Sequence, residues 1–150
     1  MSLRWSLAVL HLVALGIGLG AVWARARLLA GPLDRAGVSR ALAADAWWGV
    51  AALLWIGTGL WRLLAGTEKA TAYYLDNHLF WGKMALLGCV LLLELWPMAT
   101  LVGWRIQLAR DEAPDTTRAG TLARISFAQA GLVLLMVVAA TGMARGAGAP

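Results

Sequence analysis

Apolar positions gather into four long stretches at about residues 5–24, 46–64, 80–104 and 122–144, separated by segments where charge, Gly and Pro collect. Each stretch approaches or exceeds the ~20 residues an α-helix needs to cross ~30 Å of hydrocarbon. The pattern predicts an all-α, integral membrane four-helix bundle forming one domain over residues 1–150. Four spans put both termini on the same side. No period of 20 to 50 residues repeats, and the Gly- and Ala-rich tail 146–150 is expected to fray.

Within the third stretch, Lys83, Leu87, Val90, Glu94 and Met98 recur at helical spacing and share one face. Two ionisable groups on an intramembrane stripe need partners or a route to water. Lys83 and Glu94 are about 16 Å apart along a helix, so they cannot pair with each other. Lys83, near the span end, can snorkel. Glu94 is too deep for that and must be protonated or paired, with Asp45, Arg124, Ser126 and Gln129 as candidate partners from neighbouring helices. Pro97, one turn on, frees the carbonyl of Leu93 and is expected to kink the helix.

Orientation follows from basic residues. Arg25, Arg27, Arg35 and Arg40 follow the first stretch and Arg105, Arg110, Arg118 and Arg124 follow the third, eight of the thirteen Lys and Arg. The positive-inside rule then makes loops 1 and 3 cytoplasmic and sets both termini outside, in a multi-pass membrane protein. On the outer side, His11, Thr58, Arg62, Lys83 and Thr141 come near the loop carrying Tyr73, Tyr74, Asp76 and His78. Such a cluster can hold an anionic headgroup, a carboxylate or a haem propionate, with His11 or His78 available as a ligand to haem or a metal. The plainer alternative is that Lys83 and Arg62 snorkel, with Glu68 or Asp76 neutralising them, and that His11 makes an interhelical hydrogen bond.

Composition agrees with a membrane protein, at 61% hydrophobic and 14% charged residues, with a mean hydropathy of +0.70. The net charge of +5 is spread beside apolar stretches rather than run together with aromatics, which argues against nucleic acid as a partner. The bilayer is the expected partner, with room for a second membrane protein or a second copy of the chain. Of nine tryptophans, Trp5, Trp23, Trp47, Trp48, Trp61, Trp81 and Trp104 fall near span ends as interfacial anchors, while Trp55 and Trp96 are deep enough to pack inside. Gly16 and Gly20 form a small-xxx-small pair, and with Gly18, Gly57 and Gly59 they are expected to bring helices close. Cys89 stands alone, so neither an intrachain disulfide nor a cysteine metal cluster can form, and no metal site is expected. The first apolar run is too long for a signal peptide and is expected to be a retained helix. Phosphate loops, H-E-x-x-H and Ser-centred elbows are missing from the sequence, which argues against hydrolase or nucleotide chemistry.

The stretch 45–105 reads DAWWGVAALLWIGTGLWRLLAGTEKATAYYLDNHLFWGKMALLGCVLLLELWPMATLVGWR. With His11, Asp45, Gly49, Thr58, Gly59, Arg62, Lys69, Tyr73, Tyr74, Asn77, Phe80, Lys83, Pro97, Trp104, Arg105 and the Met143-Ala144-Arg145-Gly146 ending, it resembles the bacterial membrane-protein family called domain of unknown function 2214. The resemblance covers nearly the whole chain and implies a four-helix membrane fold without an assigned activity. Two places depart from the family pattern, Glu94-Leu95-Trp96-Pro97-Met98 in helix 3 and Gln129 early in helix 4. A more distant likeness, in the helix-1 His and the aromatic-x-x-Lys opening of helix 3, is to four-helix protoporphyrinogen oxidases and copper-resistance-type membrane proteins. It implies haem or tetrapyrrole chemistry. Three functions stand at this point: a small accessory or ligand-binding subunit using His11, Arg62 and Lys83; a haem-linked redox enzyme with His11 as ligand; and a proton- or ion-coupled carrier centred on Glu94.

Overall fold

The computed structural model describes residues 2–65 and 71–148, and Glu68 and Lys69 lie outside the described residues. The elements are α1 (Leu3–Leu29), α2 (Arg35–Leu64), the short α3 (Thr71–Leu75), α4 (His78–Ala109) and α5 (Ala119–Ala144). The four long helices have 26 to 32 residues, or ~39 to ~48 Å at 1.5 Å per residue. All four are long and apolar enough to cross a membrane. The protein is thus a helical bundle of the membrane type.

Every long helix extends past its apolar stretch. The first turn-forming signal after α1 is Gly31-Pro32, and Asp34 then caps α2 by accepting from the Gly37 amide at 2.7 Å. A Cβ on Gly37 would press on the Pro32 carbonyl, so the tight turn needs glycine there. Arg25, Arg27, Arg35 and Arg40 are therefore helical rather than part of a loop. Charge ends the expected spans too early, because a helix continues into the headgroup region as long as its backbone bonds are made.

α1 packs against α2 and α5, α5 packs against α4, and α2 barely touches α4. The α1–α2 approach rests on Ala14, Gly18 and Ala21, all buried. A Cβ on Gly18 would stand 3.3 Å from that of Ala51 and 3.4 Å from the Trp48 ring. Gly16, Gly20 and Gly57 face outward, with open space where a Cβ would stand, which corrects the expectation that the Gly16 and Gly20 pair packs. In a helix of 3.6 residues per turn, Gly18 lies on the opposite side from both.

On α4 the buried positions are Phe80, Val90, Pro97, Leu101 and Trp104. Pro97 takes the place expected of Met98, which is exposed. The tryptophans divide likewise. Trp5, Trp23, Trp47, Trp61 and Trp81 are exposed as anchors should be, but Trp48 and Trp104 are core residues, and Trp96 faces outward.

The interior is layered along the bundle. At the end bearing the α1–α2 and α4–α5 connections lies an apolar cluster of Leu29, Val38, Leu42, Leu101, Trp104 and Leu122. A second forms around Val22, Trp48, Val90 and Val133, and a third around Ala14, Trp55 and Met136. At the terminus-bearing end the chain is pinned by Asn77, which is fully buried. Its Oδ1 accepts from the Leu79 amide at 2.9 Å, and its Nδ2 donates to the Ala147 carbonyl at 3.0 Å. The tail as far as Gly148 is therefore docked on the start of α4 rather than frayed. Gly146 and Gly148 adopt φ of +86° and +78°, the left-handed conformation that lets the tail turn back.

Candidate functional site

Among the described residues, polar side chains inside the bundle form two separate groups. The first centres on Arg25, which is fully buried and sits on the same stripe of α1 as Gly18 and Val22. Its Nη1 donates to Asp45 Oδ1 at 2.7 Å and to Glu94 Oε1 at 2.7 Å. Its Nη2 donates to Glu94 Oε2 at 2.8 Å and to Gln129 Oε1 at 2.7 Å, and its Nε donates to Ser126 Oγ at 3.0 Å. All five guanidinium N–H groups are thus matched, the condition under which a charge can stay inside a membrane protein.

Glu94 is held by two further donors. Gln129 Nε2 donates to its Oε2 at 2.7 Å and Trp48 Nε1 donates to the same atom at 3.1 Å, in addition to the Arg25 fork. Asp45 is shared, since Arg105 Nη2 donates to its Oδ2 at 2.8 Å and also to the Leu42 carbonyl at 2.8 Å. Two cations face two carboxylates, so the network is neutral in sum. It also spans the seam where α2 and α4 barely meet, joining Asp45 and Trp48 to Glu94 and Arg105.

Of the partners expected for Glu94, Gln129 bonds to it directly, while Asp45 and Ser126 reach it through Arg25. Arg124 is exposed. Arg25 itself escapes the sequence reading as a partner because its charge reads as loop. The available signal is its register, three residues after Val22 and seven after Gly18 on one helical face.

The second group lines a cavity of about 480 Å³ at the terminus-bearing end. His11, Arg62 and Lys83 all border it, with Tyr73, Tyr74 and Thr141, so the structure brings the expected cluster together. Thr58 is buried behind His11. His78, by contrast, is exposed at the first position of α4 and does not border the cavity. Its backbone amide serves the tail instead, donating to the Gly148 carbonyl at 3.1 Å. Asp76 is likewise exposed.

Geometry at His11 determines its tautomer. The Thr58 hydroxyl lies 2.7 Å from the Leu54 carbonyl and 3.1 Å from that of Trp55, so its one proton goes to the backbone. Its oxygen therefore accepts from His11 Nδ1 at 2.9 Å. Nδ1 carries the proton, and Nε2 is left with a lone pair. Gly59 allows this contact, since a Cβ there would stand 3.2 Å from His11 Cε1.

The cavity wall is otherwise apolar, with Leu12, Leu15, Trp55, Phe80, Met136 and Val137 among its residues. Lys83 is half-buried on this wall. No carboxylate lies within ion-pair distance of it among the described residues, and the described lining holds no acid at all. The apolar body with a few convergent polar groups is the usual form of a small-molecule site. No group of three or more metal-ligating side chains occurs among the described residues.

No curated protein and no solved structure matches the chain. The sequence profile of one family, described as a predicted membrane protein (DUF2214), matches residues 3–148. That span takes in α1 to α5, the Arg25 network and the whole cavity lining, and the chain belongs to this membrane-protein family.

Proposed function

We propose that the protein is a small ligand-binding subunit of the bacterial inner membrane, taking the anionic end of an amphiphile into the cavity bordered by His11, Arg62 and Lys83. The observation that carries this reading is Lys83, a half-buried ammonium facing a 480 Å³ cavity with no acidic partner among the described residues. A buried cation without a counter-charge is costly, and an incoming carboxylate or phosphate supplies one. The apolar wall receives the rest of the ligand.

The basic residues Arg27, Arg35, Arg40, Arg110, Arg118 and Arg124 gather at the opposite end. By the positive-inside rule that end is cytoplasmic, and the cavity opens on the outer side with both termini. A chain of 150 residues built around such a cavity suits an accessory role beside a larger membrane partner. We assign Glu94 to holding the helices together rather than to carrying an ion, because four N–H donors already converge on its carboxylate.

Binding of octanoate and of octyl phosphate to the detergent-purified protein tests the proposal. Both bind the wild type, and Lys83→Met weakens both at least tenfold, about 1.4 kcal/mol. Equal affinity in wild type and Lys83→Met would remove the basis for the reading. Stoichiometric co-purification of a second membrane protein tests the accessory role.

A haem-linked redox function is the second reading, favoured by the geometry of His11. Thr58 orients the ring from behind and Nε2 is left to ligate, as when a hydrogen bond at one ring nitrogen fixes the tautomer and turns the other toward a metal. Haem would supply the redox chemistry, with Lys83 and Arg62 placed for its propionates. A Soret band lost in His11→Ala supports it, and a colourless protein from haem-replete cells rules it out.

A further inference from the structure

We infer that the seam between α2 and α4 is a lateral opening from the bilayer into the cavity, so that the ligand is an anionic membrane lipid with its head beside Lys83 and an acyl chain along the seam. This rests on the cavity being the anion site proposed above and adds where its ligand comes from.

The order of helices around the bundle is α2, α1, α5, α4, and three of its four sides are packed: α1 on α2, α1 on α5 and α4 on α5. The fourth side, between α2 and α4, is thin. Hydrogen bonds cross it from Leu42, Asp45 and Trp48, at the level of the Arg25 network, and so fix which helix faces look at each other. On α2, Gly49, Ala52, Ile56, Gly59 and Leu63 follow Asp45 at steps of three and four and share its face. On α4, Met98, Glu94, Leu91, Leu87 and Lys83 precede Arg105 at helical spacing and share its face.

These two faces do not close on one another. A Cβ on Gly49 would stand in open space, Leu91 and Met98 are 47% and 51% exposed, and Ala52, Ile56 and Leu87 are only half-buried. They leave an apolar groove. At one end it stops where Asp45 and Trp48 bond to Arg105 and Glu94. At the other it runs into the cavity, since Gly59, Leu63 and Lys83 border both. From Glu94 to Lys83 the groove is about 16 Å long, close to one leaflet of a ~30 Å hydrocarbon core.

The end of the bundle beyond the cavity is crossed by α3. Thr71 Oγ1 donates to the Leu63 carbonyl at 2.9 Å and the Tyr73 hydroxyl to the Met143 carbonyl at 3.1 Å, which ties α3 to the ends of α2 and α5. Tyr73 and Tyr74 thereby stand in the cavity wall. An amphiphile arriving from water has α3 in its way, whereas one already in the bilayer meets an apolar groove with a cation at its head. The charge selects the occupant, because the described cavity lining holds Lys83 and Arg62 and no acid.

Photo-crosslinking of the full chain in vesicles of equal parts phosphatidylcholine and phosphatidylglycerol tests this, with a diazirine on the acyl chain of a tracer of either lipid. Labelling at Ile56 and Leu87, located by mass spectrometry, should be about tenfold higher with the phosphatidylglycerol tracer, a difference of about 1.4 kcal/mol. Labelling at Leu54, exposed on another face of α2, should be equal for the two tracers. Lys83→Met should bring the tracers to equality at Ile56 and Leu87. Ala52→Trp, which fills the groove, should do the same with Lys83 in place. Equal labelling in the wild type, with octanoate in detergent still bound more weakly by Lys83→Met, would mean that the ligand arrives from water, and the inference fails while the anion site stands. Labelling of Leu54 but not of Ile56 and Leu87 would mean that another helix covers the seam, which also overturns it. So does a phosphatidylglycerol preference that survives either variant. If neither octanoate nor lipid responds to Lys83→Met, the inference and the underlying reading fail together.

Discussion

Arg25 and Glu94 meet as a bidentate pair, Nη1 to Oε1 at 2.7 Å and Nη2 to Oε2 at 2.8 Å, from helices α1 and α4. The fork geometry of guanidinium suits two carboxylate oxygens at once, which a lysine cannot reproduce. α1 and α4 are not strongly packed against each other, so this pair and its neighbours hold the centre of the bundle where apolar contact is thin. The consequence is a sharp asymmetry between losing one partner and losing the set.

Arg25→Leu should destabilise the protein by about 3 to 5 kcal/mol, because Asp45 and Glu94 then lose the cation they share. Thermal unfolding in detergent, followed by circular dichroism, measures this. Adding Glu94→Leu to the Arg25→Leu variant should recover part of the loss. A double variant less stable than either single one would show that the pair is not what couples them.

Trp48→Phe keeps an aromatic ring and removes one donor to Glu94 Oε2, where Gln129 and Arg25 remain. The expected cost is about 1.5 to 3 kcal/mol, the range for a hydrogen bond to a charged group. The same melting experiment reads it, and Trp47→Phe, at an exposed anchor, should change little.

Gly18→Leu forces side chain into the space held by Ala51 and Trp48 and should cost about 1 to 3 kcal/mol or more. Gly16→Leu, two residues away on the outward face, should be neutral or stabilising. Comparing their melting midpoints checks which glycine brings α1 and α2 together.

Asn77→Ala removes the cap of α4 and the anchor of the tail in one step. A lost cap costs ~1 kcal/mol. The more specific outcome is faster carboxypeptidase trimming of the C-terminus, with the melting midpoint shifted only modestly. Trimming at the wild-type rate would show that the tail is held by other contacts.

The four spans are legible because a membrane helix must be long and apolar in sequence before it has any neighbours. The cluster of His11, Arg62 and Lys83 at the terminus-bearing end is legible for a related reason, since helix order and span length put the three at one depth of the bundle. Gly18 is harder to separate from Gly16 and Gly20, because lipid and protein faces are both apolar and hydrophobic pattern does not distinguish them. Arg25 is hidden by its own charge. A lone arginine next to a span reads as the end of that span, and only the arrival of Asp45, Glu94, Ser126 and Gln129 from three other helices makes its burial tolerable.

Span length and depth are properties of single segments, so the order of residues alone determines that four helices are long and apolar enough to cross a membrane and that His11, Arg62 and Lys83 lie near the terminus-bearing end. It does not settle that Glu94 is held by Arg25, or that Thr58 directs the His11 proton. Those facts depend on the rotation of each helix about its axis and on which neighbour it faces. One segment specifies neither, and the packing of all four fixes both.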